Sequence, residues 1–124
     1  MKEVMAFIRV NKVNATKEAL ANAGFPAFVC RPCMGRGKKG LNADLLKLVM
    51  ETGELPVSNV GESLTEGARL IPKRFFTIVV EDNDADTVVK TIIHANQTGN
   101  PGDGKIFVLP VTETYQVRTG ETIL

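Results

Sequence analysis

The chain has 124 residues, of which 44% are hydrophobic and 23% charged, enough for one domain around one core. Fifteen Lys and Arg against fourteen Asp and Glu leave a net charge of +1, too balanced for a protein whose main partner is bulk nucleic acid or an anionic membrane. Two cysteines and one histidine neither staple a secreted fold nor complete a zinc or iron–sulfur site within one chain. No apolar run approaches the roughly 18 to 20 residues of a membrane span, and charge interrupts "MKEVMAFIRVNK" too early for a signal peptide. A cytoplasmic location without membrane insertion is expected.

In chain order, "EVMAFIRV" alternates Val4, Ala6, Ile8 and Val10 with Met5, Phe7 and Arg9, the pattern of a strand buried on one face. Asn14 is placed to cap a helix over "ATKEALANA" with Ala15, Ala19, Leu20 and Ala23 as its apolar stripe, and Gly24 then Pro26 stop it. A second strand is expected over residues 27–34. After an irregular stretch, "RFFTIVVE" is a third strand. Asp84 is placed to cap "ADTVVKTIIHANQ", with Val88, Val89, Ile92, Ile93 and Ala95 inward. "KIFVLP" gives a fourth strand and "TYQVRT" a short fifth. The order predicts an α+β ferredoxin-like split βαβ fold: an antiparallel sheet with two helices on one face, in one domain spanning residues 1–124. Met5, Phe7, Phe75, Val79, Phe107 and Leu109 then fall on the uncovered face, so self-association is expected.

Residues 35–70 form a connection too long for a compact domain unless it is functional. "NADLLKLVME" reads as a short amphipathic helix and "SLTE" as a capping box, while Gly53, Pro56, Gly61 and Gly67 break the segment. Such a loop suits ordering on a ligand or a protein partner; an ordinary surface insertion is the plain alternative.

The loop "TGNPGDGK", residues 98–105, carries the strongest chemical signal. Its glycines allow backbone N–H groups to converge on an anion, and Lys105 adds a point charge suited to phosphate. It is not a Walker A loop, since no Ser or Thr follows the lysine and a strand follows instead of a helix. A tight connection is the alternative. If the chain reverses about Val111 and Thr112, Lys105 lies nearly opposite Arg118, a like-charge pairing that an anion between them would relieve. "GRGKKG", residues 35–40, is a second basic, glycine-rich contact at the root of the long loop. "CRPC", Cys30 to Cys33, lies in a strand where i and i+3 point to opposite faces, which disfavours a redox pair. His94 lacks a carboxylate and nucleophile around it and reads as a solvated or core-edge residue.

In order and spacing, "FIRVNK", Gly24, "GRGKKG", "IPKRFFTIVV", "TGNPGDGKIFV" and "VRTGE" resemble the PII signal-transduction proteins. "NQTGNPGDGKIFVLP", "GFPAF" and the enlarged loop point to the nitrogenase-associated branch, and within it to the second of two paralogues. The resemblance implies a trimer with ATP or ADP in the clefts between subunits, residues 35–70 as the T-loop, 98–105 as the B-loop and 112–124 as the C-terminal segment. It implies nucleotide-binding roles for Gly102, Asp103, Gly104 and Lys105, with Gly35, Gly37 and Lys38 at the T-loop base, Arg118 on phosphate and Val79 at the adenine. Lys73 matches the lysine that pairs with a carboxylate of 2-oxoglutarate.

Three departures stand out. Gln116 replaces one of the family's two C-terminal arginines, which weakens phosphate binding or shifts it toward one nucleotide. Lys39 stands where a glutamine helps hold Mg²⁺ beside 2-oxoglutarate; an ammonium cannot ligate a cation but can neutralise phosphate or carboxylate directly. The long loop contains no tyrosine, which excludes tyrosine uridylylation there. The expectation is a non-enzymatic sensor of ATP, ADP and 2-oxoglutarate, with Mg²⁺ as an optional companion. Its expected partner is nitrogenase, through the dinitrogenase component, as a homotrimer or mixed with a paralogue. A PII-type regulator of an ammonium channel or assimilation enzyme and a small acyl-phosphate hydrolase are the alternatives.

Overall fold

The computed structural model describes residues 1–37 and 70–124. Its chain divides into two units, Met1–Cys33 with Pro72–Leu124, and Met34–Ile71. The first carries the core. The elements are β1 (Lys2–Arg9), a 3₁₀ turn (Val10–Lys12), α1 (Val13–Asn22), β2 (Val29–Gly35), β3 (Ile71–Val80), α2 (Asp82–Asn96) and β4 (Lys105–Pro110). The strands lie in the order β2-β3-β1-β4, and β1 pairs antiparallel with both β3 and β4. This is the expected ferredoxin-like sheet.

The alternation in β1 does what a period of two requires. Val4, Ala6 and Ile8 are buried and face the helices. Across from them stand Ile78 and Phe76 of β3 and Val108 and Ile106 of β4. Val10, expected as the fourth inward residue, is instead 43% exposed, because the chain has already turned into the 3₁₀ segment. That segment runs directly into α1, so the helix begins at Val13 with Lys12 before it and Asn14 makes no cap. The buried positions of α1 are Thr16 and Leu20; Ala15 and Ala23 of the expected stripe are exposed and Ala19 is half-buried. Gly24 ends the helix with φ +94°. Its N–H donates to Ala21 O at 3.0 Å and that of Phe25 to Leu20 O at 2.8 Å, the paired bonds of a Schellman stop.

α2 starts earlier than expected. Asp82 and Asp84 both lie in its first turn, where carboxylates favour the positive end of the helix dipole, and Asp84 is not the cap. The buried face is Ala85, Val88, Ile92 and Asn96, so Ile93, expected inward, is 44% exposed. The helices meet through a polar contact. Asn96 Nδ2 donates to Thr16 Oγ1 at 2.9 Å and to Ile92 O at 2.9 Å, while Thr16 Oγ1 donates to Lys12 O at 2.7 Å.

On the other face, Met5, Phe7, Phe75, Val79, Phe107 and Leu109 share one side, as the register shows. The Phe7 ring lies 5.3 Å from Phe75 and 6.2 Å from Phe107, and the Arg31 guanidinium sits 4.7 Å over Phe75. No helix covers this apolar side among the described residues.

The expected fifth strand does not form. After Pro110 one further bond joins the chain to the N-terminus, Val111 N to Met1 O at 3.1 Å, and a turn follows in which Gly120 N donates to Gln116 O at 2.7 Å and Gln116 N to Glu121 O at 2.8 Å. Gly120 takes φ +73°, and Val117 is fully exposed. Lys105 accordingly stands opposite Phe7 of β1, and the proposed Lys105–Arg118 cross-strand pair is absent.

Thr16→Val removes the acceptor from a buried amide and is expected to cost about 1–3 kcal/mol in urea unfolding. Asn96→Leu in the same background is expected to recover part of that loss, since both partners are then apolar.

Candidate functional site

The loop between α2 and β4 is built around one carboxylate. Asp103 Oδ2 accepts from the backbone N–H of Thr98 at 2.8 Å and of Gly99 at 3.0 Å. Its Oδ1 accepts from the Thr98 hydroxyl and from Arg9 Nη1 at 2.5 Å. The Thr98 oxygen in turn accepts from Asn100 N–H at 3.2 Å. Two hydrogen bonds from Thr98, assisted by Arg9 and the Gly99 amide, hold the Asp103 carboxyl far below its ordinary value of 3.8.

Two further bonds tie the loop to the end of the sheet. Arg9 Nη2 donates to Pro101 O at 2.9 Å, and Lys73 Nζ donates to Gly102 O at 2.8 Å. Arg9 and Lys73 are directly opposed on β1 and β3, a like-charge pairing that would be unfavourable alone. Asp103 and the two loop carbonyls relieve it. This pair is not the Lys105–Arg118 pair expected from sequence, which does not form.

Backbone geometry explains the glycines that matter most. Gly102 and Gly104 take φ +97° and +112°, a region that side-chain-bearing residues rarely adopt. At Gly104 a Cβ would lie 1.9 Å from Phe7 O, so the chain passes against β1 closer than any other residue allows. Below the loop, an apolar cleft of ≈ 400 Å³ runs between α2 and β4, with Ile92, Ile93, Ile106 and Val108 in its walls and Gly104 and Lys105 at its end.

Of the residues singled out from sequence, Lys73, Gly102, Asp103, Gly104 and Lys105 come together. Lys105 is exposed at the start of β4. Val79 shares the open face but lies six residues along β3 from Lys73, about 20 Å away. Arg118 sits in the exposed turn of residues 117–119. Gly35 ends β2 and Gly37 follows it in the second unit. Lys38 and Lys39, with most of the 35–70 loop, lie outside the described residues. Cys30 packs against the core, and both cysteines are free.

Arg9 is the residue that the reading of the sequence missed. Its signal was a lone charge ending the open-face row Met5, Phe7, Arg9, but its significance depends on the register that sets it across from Lys73. Arg9 pairs with Asp103, whereas Lys73 and Lys105 have no ion-pair partner among the described residues. Lysine ammonium groups of this kind suit an anion such as phosphate or carboxylate.

The fold and loop define a ferredoxin-like α+β module with a glycine-rich loop tied to one end of its sheet. The family model for the nitrogen regulatory protein P-II matches residues 1–121, and the chain belongs to that family. It is 46% identical over 123 residues to the nitrogen fixation nifHD region GlnB-like protein 2 of Methanothermococcus thermolithotrophicus, covering 98% of this chain and 94% of that relative. It is 41% identical over 122 residues to the nifHD1 region GlnB-like protein 2 of Methanosarcina barkeri, with 98% and 94% covered. The nifHD region GlnB-like protein 1 of M. thermolithotrophicus is 38% identical over 122 residues, with 98% of each covered. Members of this family are generally non-enzymatic signalling proteins and are expected as trimers. No helix among the described residues is long and apolar enough to cross a membrane.

Because the carboxyl is lowered in the folded protein, its contribution is present above the ordinary value of 3.8 and is lost only as pH falls through the lowered one. Carbon-detected NMR titration is expected to find Asp103 ionised throughout pH 4–8, with Thr98→Val raising its titration point more than Arg9→Met does. Gly104→Ala is expected to cost about 2–4 kcal/mol in chemical denaturation, from the backbone clash and the positive φ together.

Proposed function

We propose that this protein is a cytoplasmic nitrogen-status sensor that binds ATP or ADP at the loop of residues 98–105 and 2-oxoglutarate at Lys73. It regulates nitrogenase by direct binding through residues 35–70. The observation that carries this reading is the cationic end of the open sheet face, where Lys73 and Lys105 flank Gly102 and Gly104. The names of the nifHD region relatives support the link to nitrogen fixation.

In this reading Lys105 and the loop amides take phosphate, with Arg118 and the 35–38 segment closing on it. Lys73 and Lys39 receive the carboxylates of 2-oxoglutarate, and Val79 contacts the adenine. The dinitrogenase component is the proposed target. Assembly as a trimer, alone or with a paralogue, supplies neighbouring subunits to the clefts; the occurrence of proteins 1 and 2 in one organism supports the mixed form. Ligand and target must favour different states of the 35–70 loop, and a difference of about 5.5 kcal/mol suffices to move it from 1:99 to 99:1.

A second reading, a regulator of an ammonium channel or assimilation enzyme, would share these core residues and differ only in the 35–70 loop.

Calorimetry with ATP, with and without 2-oxoglutarate and Mg²⁺, tests the sensor. ATP is expected to bind, 2-oxoglutarate to bind in its presence, and Lys105→Ala to weaken ATP about tenfold or more, the loss of one charge-assisted contact. Failure of 2-oxoglutarate to bind under every condition would refute the sensing role. Pull-down from a nitrogen-fixing extract decides between nitrogenase and the other targets.

A further inference from the structure

We propose that Asp103 is a positioning residue, not a ligand contact: with Arg9 as its anchor on β1, it holds the 98–105 loop in its anion-receiving shape before any ligand arrives. The inference rests on the nucleotide reading of that loop and assigns the one residue whose charge sits badly within it. A carboxylate between Gly102 and Gly104 would repel phosphate if it pointed outward. Here its capacity is spent inward.

An ionised carboxylate offers about four acceptor positions, and Asp103 fills them with the Thr98 amide, the Gly99 amide, the Thr98 hydroxyl and Arg9. No position is left for a ribose hydroxyl or a cation. Arg9 spans the turn, donating through one nitrogen to Asp103 and through the other to Pro101 O. The carboxylate thus joins the loop's first two residues to its sixth, and the guanidinium joins the whole to the sheet. Between these ties Gly102 and Gly104 keep their left-handed backbone, leaving less conformational freedom to lose on binding.

The test combines ATP and ADP calorimetry, with and without Mg²⁺, with amide NMR of the ligand-free protein. The variants are Asp103→Asn, Thr98→Val, their double, Arg9→Met and Lys105→Ala, each checked for folding by circular dichroism. Asp103→Asn is expected to weaken ATP and ADP by the same factor, about 10- to 100-fold, from loss of a charged hydrogen-bonded group. That loss should be independent of Mg²⁺, and the Thr98 and Gly99 amide resonances should shift without ligand. Thr98→Val should add little in the Asp103→Asn background, because both act through one structure. Arg9→Met should move the same amides even if Asp103→Asn does not fold. Lys105→Ala should weaken binding and leave those amides in place. The proposal is overturned if Asp103→Asn binds as the wild type does, or if its loss appears only with Mg²⁺ while the amides stay unmoved, which would make Asp103 a ligand contact. If the wild type binds neither nucleotide, the nucleotide reading falls, and unmoved amides in Asp103→Asn would separately refute the positioning role.

Discussion

Arg9 and Lys73 face each other across β1 and β3, and the end of the sheet is organised by how that repulsion is resolved. Cross-strand like charges are unfavourable, yet both side chains find oxygen on the same loop: Asp103 and Pro101 O for Arg9, Gly102 O for Lys73. The loop therefore cannot move away without exposing the pair to each other. Its other constraint is steric, the passage of Gly104 against Phe7 O. Charge pulls the loop onto the sheet, and a missing Cβ lets it approach.

These two constraints explain how much the sequence could disclose. β1 was readable because it signals its buried face by alternation, and Val4, Ala6 and Ile8 needed no partner to be assigned; the other strands were readable as short apolar runs. β4 spans the expected "KIFVLP" segment. The helix starts were less readable. Asn14 and Asp84 are good capping residues, but a 3₁₀ turn already feeds α1 and the extended Glu81 precedes α2, so tertiary geometry overrode local preference. "TYQVRT" has strand-forming residues, but Gly120 takes a left-handed turn beyond it, and the segment closes on itself through Gln116 and Glu121 instead of pairing with a strand.

The site divides in the same way. The glycines and Lys105 announce themselves as a contiguous string, because a loop's chemistry is local. Arg9 lies 94 residues from Asp103 in sequence, and only the β1–β3 register gives it meaning. The general point concerns charges ending an apolar strand face. Such a residue has no local reason to be there, and its partner is to be sought on whatever loop packs over that end of the sheet.

The open face adds a last constraint. Phe7, Phe75 and Phe107 form an aromatic row that ends at Lys73, Arg9 and Lys105. A trimer, the assembly expected of the family, would cover the apolar row while leaving the cationic end at the boundary. A ligand bound there would meet a loop already tied down by eight hydrogen bonds to its interior and to the sheet. Little of its binding energy would then go into ordering residues 98–105. Under the proposed function that energy is free to act elsewhere, and Lys73 lies only two residues beyond Ile71, where β3 begins and the second unit ends. Under that same proposal, a loop of residues 98–105 held in advance would leave more of the binding energy to bias the state of residues 35–70.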